Sequence, residues 1–165
     1  MPSATNKLLS ILNKEEKNKK KFPHLQPIIQ LFISDVLSWP ETEKANHSYG
    51  GTEFRLFNRS IGHIHSNGIL DMPFVKELRR ELLDTGIAQL HHLEDTITWV
   101  SKPIASELDI PAAKELMLLS YWIKGRDYFD KSPKARDFIL EKLSDCNFPA
   151  SIFAIVNFNS KHQIN

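Results

Sequence analysis

The stretch from Gly50 to Phe74 constrains the fold more than any other part of the chain. Gly50-Gly51 opens a first strand, Thr52 to Phe57, and Ser60 to His65 forms a second. Asn58-Arg59 between them reads as a two-residue hairpin turn, because Asn tolerates positive φ. In that register Leu56 faces Ile61, Phe54 faces His63 and Thr52 faces His65. Side chains alternate along a strand, so Phe54, Leu56, Ile61, His63 and His65 are expected on one face. Glu53, Arg55, Phe57, Gly62 and Ile64 are expected on the other. Asn67-Gly68 is a turn signal. Asp71 ahead of Met72-Pro73 reads as the N-cap of a helix running to about Thr85, with Gly86 at its C-terminal end.

The flanking segments extend this pattern. Leu8, Leu9, Ile11 and Leu12 form a stripe within residues 4–17, the mark of a short amphipathic helix or arm. Lys17-Asn18-Lys19-Lys20-Lys21 follows, either a solvated linker or an arm that contacts phosphates. His24 to Ser38 reads as a helix that buries Ile28, Leu31, Phe32, Val36 and Leu37, and Trp39-Pro40 stops it. Glu41 to Tyr49 is a polar connector containing His47. Ile87 to Leu93 is a third strand, with His91-His92 in it, and Thr96 to Ile104 is a fourth. Asp109 caps a helix that closes at Gly125, and Ser132-Pro133 opens another to about Asp145. Ala150 to Phe158 is too short to type by period, and reads as a strand or a short helix. Hairpins separated by helices argue for an α+β fold: an antiparallel sheet of about four strands in two hairpins, with helices packed mainly on one face.

Bulk properties remove some classes of function. The chain has 165 residues, 41% of them hydrophobic and 25% charged, with a formal net charge of +1. That balance gives no global attraction to nucleic acid or to a membrane surface. No apolar run approaches the roughly 20 residues needed to span a bilayer. The single cysteine, Cys146, rules out a disulfide within the chain and suits a reducing, cytoplasmic setting.

Several strings in the middle of the chain are shared with a known family. They are Trp39-Pro40, His47-Ser48-Tyr49-Gly50-Gly51-Thr52-Glu53-Phe54, Ile61-Gly62-His63-Ile64-His65, Gly68-Ile69-Leu70-Asp71-Met72-Pro73-Phe74, Gly86, His91-His92, Trp99-Val100-Ser101 and Leu119-Ser120-Tyr121. Over about Leu37 to Ile123 the chain resembles the small bacterial and fungal "luciferase domain" proteins, a domain of unknown function. The Gly-His-x-His…Gly-x-x-Asp-x-Pro-Phe string is the most specific part. The resemblance implies no established light-producing chemistry, and the chain is too short for the TIM barrel of bacterial flavin luciferases. Trp99-Val100-Ser101, followed by a helix ending in Ser120-Tyr121, is also similar to MmcQ/YjbR-like proteins. Those are small α+β domains sometimes described as DNA-binding-like, and the similarity speaks to fold rather than function. The expected organisation is an N-terminal helix or arm over residues 1–23, a luciferase-domain-like α+β core over 24–125 and a C-terminal helical extension over 126–165.

The histidines carry the chemical signal. His63 and His65, two apart on a strand, project to one side, and two imidazoles so placed can reach one ion at about 2 Å. His92 or His91 on another strand, with Asp71, could complete a set suited to a divalent zinc, iron or manganese ion. The competing reading is a buried polar network, because the register above sets His63 beside Phe54 and Leu56, where an unpaired polar group is costly. A third is general acid–base work by a histidine. Trp99, Tyr121 and Trp122 read first as core aromatics, and Ser120 lacks a nucleophile elbow. No phosphate loop, dinucleotide fingerprint or CxxC pair is present.

Three functions follow. One is a binding module that holds a small molecule or protein partner through His47, His63, His65, Asp71, His92 and Trp99. A second is a metal-dependent or acid–base enzyme using the same histidines, with His63, His65 and His92 as metal ligands. The third is a nucleic-acid-binding accessory domain working through Lys17 to Lys21, which the near-neutral charge does not favour. No motif addresses oligomeric state.

Overall fold

Among the described residues six strands, rather than about four, form one sheet in the order β1-β2-β3-β4-β6-β5, with every neighbouring pair antiparallel. The structure is a computed structural model and describes residues 4–47, 50–91 and 98–158. The strands are β1 Thr42–Asn46, β2 Thr52–Leu56, β3 Arg59–Ile64, β4 Ile69–Pro73, β5 Gln89–Leu90 and β6 Trp99–Pro103. The helices are α1 Ala4–Lys21, α2 Gln26–Leu37, α3 Lys76–Asp84, α4 Ile110–Gly125, α5 Pro133–Ser144 and α6 Ala150–Ile155.

The two unexpected strands have clear physical origins. β1 comes from the segment read as a polar connector. It is an edge strand with no buried residue, so it shows no apolar alternation. β4 comes from the segment read as a helix start. Leu70 and Met72 alternate into the core at 0% exposure, and Asp71 between them points to the opposite face. Asp71 is therefore a strand residue and not an N-cap. Pro73 is the last residue of β4, beyond the last rung shared with β3, where a missing N–H costs little. The helix itself begins at Lys76, with Val75 as its N-cap. Of the expected third strand, the described residues pair at Gln89–Leu90, and its end beyond His91 lies outside the described residues.

The β2–β3 hairpin forms, but not in the expected register. The turn is Phe57-Asn58, both with positive φ (48° and 64°), rather than Asn58-Arg59. Two positive-φ residues match the right-handed strand twist. The ladder runs Leu56↔Arg59 and Arg55↔Ser60, skips Ile61, and resumes as Phe54↔Gly62, Glu53↔His63 and Thr52↔Ile64. This bulge reverses the expected face of His63. Phe54, Leu56 and Ile64 point into the core, whereas His63 lies on the other side beside Glu53.

The apolar face is covered by α4, which packs against β2, β3 and β4, and by α2, which packs on β1, β2 and α4. Leu116, Met117 and Leu119 of α4 are fully buried. The same core continues into the C-terminal third through Phe129, Ala135, Ile139, Leu143 and Ile152, and the undecided run at Ala150 is the helix α6. Tyr121 ties this region to the N-terminal part: its hydroxyl donates to the Pro40 carbonyl at 2.6 Å, and Trp39 and Phe138 pack edge-on to its ring. Among the described residues no helix is long and apolar enough to cross a membrane.

Candidate functional site

Strand pairing draws a line of polar residues across the non-core face of the sheet. Glu53 of β2 pairs with His63 of β3, His63 with Asp71 of β4, Asp71 with Ser101 of β6, and Ser101 with Gln89 of β5. His65 and Trp99 stand on the same face by strand alternation. These polar groups are withdrawn from water: Glu53 is 7% exposed, His63 4%, Asp71 0% and Ser101 5%. Burying so many polar groups together is costly unless they satisfy one another.

Asp71 is the centre of the cluster. Its Oδ1 accepts from the Ser101 hydroxyl at 2.5 Å. Its Oδ2 faces three imidazole Nε2 atoms, those of His63 at 3.4 Å, His65 at 3.5 Å and His91 at 3.6 Å. His47, from the loop after β1, stacks flat on His63 with ring centroids 3.6 Å apart, and its Nδ1 donates to the Gly50 carbonyl at 3.3 Å. One ring nitrogen from each of His47, His63 and His65 falls within 4.8 Å of the other two. Trp99 walls the cluster, with its ring 5.2 Å from His63 and 6.0 Å from His91. His63 Nδ1 is buried with no hydrogen-bond partner among the described residues.

A second carboxylate arrives from the N-terminal helix. Glu15 Oε1 accepts from His65 Nδ1 at 3.0 Å, Glu15 Oε2 accepts from the Ser66 amide at 3.0 Å, and the Ser66 hydroxyl donates to the Glu15 carbonyl at 2.9 Å. His65 is thus clamped between two carboxylates. It also stands between two clefts. One of about 320 Å³ is bounded by Lys14, Asn18, Asn67, Gln89 and Ser101. The other, of about 360 Å³, is bounded by Ile11, Leu12, Lys44, Asn46 and His47.

The electrostatics follow from this packing. Burial alone pushes His65 down, but its hydrogen bonds with Asp71 and Glu15 outweigh burial and raise its pKa to about 9. Burial alone pushes the Glu15 carboxyl up, yet the bonds from His65 and Ser66 hold it at about 2. Asp71 follows the same pattern, with His63, His65 and Ser101 holding it well below the ordinary carboxylate range against burial. Burial, with His63 and His65 beside it, lowers His47 to about 4.

These shifts set a pH dependence for the metal-free protein. His65 titrates at 6.5 when unfolded, so its stabilising effect is complete below that pH and is lost as pH rises through about 9. Glu15 stabilises above 4.5 and loses that effect as pH falls through about 2. His47 disfavours the folded state as pH falls from 6.5 towards 4. Urea midpoints measured across this range should therefore peak near pH 6.5 and decline on both sides. Stability that keeps rising towards pH 9 would contradict the Glu15–His65–Asp71 clamp.

Of the residues singled out from sequence, the structure brings His47, His63, His65, Asp71, His91 and Trp99 together. His92 lies outside the described residues. Glu15, Glu53 and Ser101 were not singled out. Glu15 had a faint signal, a carboxylate four residues after Ile11, where the apolar stripe of α1 would continue. Ser101 lay within the shared Trp-Val-Ser string.

The fold and this geometry define an α+β protein with a histidine-rich polar face on an antiparallel sheet. Residues 58–120 match the family model described as Luciferase domain. That segment holds His63, His65, Asp71, His91, Trp99 and Ser101, while His47 and Glu15 lie outside it. No curated protein and no solved structure matches the chain.

Proposed function

We propose that the polar face is a divalent-metal centre, with His63, His65 and Asp71 as its main ligands and His47 or His91 as the fourth. The ion would hold a small polar ligand entering from the clefts beside His65. The carrying observation is the set of imidazole nitrogens at 3.4, 3.5 and 3.6 Å from one carboxylate oxygen. One ring nitrogen from each of His47, His63 and His65 also falls within 4.8 Å of the other two, so imidazole donors and a carboxylate converge on one spot. Imidazole and carboxylate together suit zinc, iron(II) or manganese. The bulge also removes the argument for an apolar setting, since His63 does not share a face with Phe54 and Leu56. Whether the centre serves binding alone or metal-assisted chemistry depends on the ligand it takes.

A second reading has its own support. His65, raised to about 9 between Glu15 and Asp71, is a positive group at neutral pH and suits metal-free anion binding or proton donation. The nucleic-acid reading gains less, because Lys19, Lys20 and Lys21 occupy the last turn of α1, where the helix dipole favours cations.

Elemental analysis of protein purified without a His-tag separates the first two readings. About one equivalent of metal is expected, lost in His63→Ala. With free zinc at about 100 times its Kd, the native state should gain about 2.7 kcal/mol against unfolding. Substoichiometric metal that His63→Ala leaves unchanged would overturn the metal reading.

A further inference from the structure

We infer that loading of the metal centre and docking of α1 on the sheet are one coupled event, with Glu15 as the positioning residue for His65. The inference rests on the metal reading above. Among the described side chains of α1, Glu15 alone is buried, while Leu9 and Leu12 are 54% and 52% exposed. Among those side chains apolar burial does little to hold the helix, and the attachment they make is concentrated in the hydrogen bonds of Glu15 with His65 and Ser66. Those bonds also do chemical work. A carboxylate that accepts from Nδ1–H fixes the tautomer and the ring orientation, and leaves the Nε2 lone pair for the ion. An ion on Nε2 in turn polarises the ring and makes Nδ1–H a better donor to Glu15. Linkage makes the two effects equal: the factor by which a docked α1 tightens the ion is the factor by which the ion tightens α1.

Gly50 supplies independent support. Its φ is +88°, and a Cβ there would lie 2.5 Å from Glu15 Cγ. The backbone at Gly50 thus leaves room for Glu15 to reach His65. Because α1 contributes a wall to both clefts, its release would open them to each other around His65. The device is a strap that closes when the centre is loaded.

The test uses the full-length, untagged, metal-stripped protein, with zinc as the probe. Zinc affinity is measured by competition with a chelating indicator, and α1 docking by hydrogen exchange of its backbone amides. Zinc should slow α1 exchange in the wild type. Glu15→Gln should weaken zinc by about 10–100-fold. Gly50→Ala, which leaves every proposed ligand in place, should weaken it in the same direction and speed α1 exchange. Wild-type zinc affinity in both variants, or α1 exchange indifferent to zinc, would overturn the coupling while leaving the centre intact. A wild type that binds no zinc would overturn the centre and the coupling with it.

Discussion

Asp71→Asn should abolish stoichiometric metal binding and cost about 3 kcal/mol of stability, within the range for removing one partner of a buried charge pair. The substitution keeps the volume of a residue that is 0% exposed, so packing hardly changes. What changes is charge. Asp71 faces His63, His65 and His91 through one oxygen and accepts from Ser101 through the other. With an amide there, the His65 imidazolium loses one of its two carboxylate neighbours among the described residues, and an ion loses its one proposed anionic ligand. The fall should show as a lower urea midpoint in metal-free protein, and zinc should no longer raise it. An Asp71→Asn variant of wild-type stability that still binds zinc would remove Asp71 from the centre of the cluster.

Gly62→Ala should be as damaging, by a different route. Gly62 has φ +152°, and a Cβ there would lie 2.9 Å from the Asp71 carbonyl oxygen, 3.0 Å from Met72 Cγ and 3.1 Å from Met117 Sδ. Backbone strain of this kind costs about 1–3 kcal/mol. Overpacking a filled core costs about 1–3 kcal/mol more. Together they predict a loss of about 3 kcal/mol or more in urea unfolding, with α4 pushed off β3. Because Gly62 precedes His63 and abuts Asp71, the imidazole cluster should shift as well, visible in the histidine ring resonances. The glycine of the Gly-His-x-His string is thus required by its positive φ and by the close approach of the Asp71 carbonyl, with Met117 of α4 beside it. Unchanged stability in the alanine variant would contradict this packing.

The sequence exposed α2, α4 and α5 and hid the register. α2, α4 and α5 carry apolar spacing with Pro in the first turn, and Ser132 caps α5 as its position suggests, accepting from the Ala135 amide at 3.4 Å. The hairpin was visible too. Its turn was not, because Phe57 takes φ +48°, a conformation that propensity does not assign to Phe. The bulge at Ile61 leaves no local signature, yet its one-residue offset decides which face His63 occupies. Asp71 was singled out for the cluster although its local setting, Asp-Met-Pro, looks like a helix cap. Strand pairing across β3, β4 and β6 is what places it there, and no local pattern records such pairing. Glu15 was missed for the same reason, since fifty residues separate it from His65.

The most direct test of a metal centre on this face is zinc titration of metal-stripped, untagged protein, followed by the ring-nitrogen NMR signals of the histidines. The account predicts that one equivalent of zinc moves the Nε2 signals of His63 and His65 together and releases the proton that His65 holds at neutral pH. Unmoved ring signals, with His65 still doubly protonated in excess zinc, would contradict it.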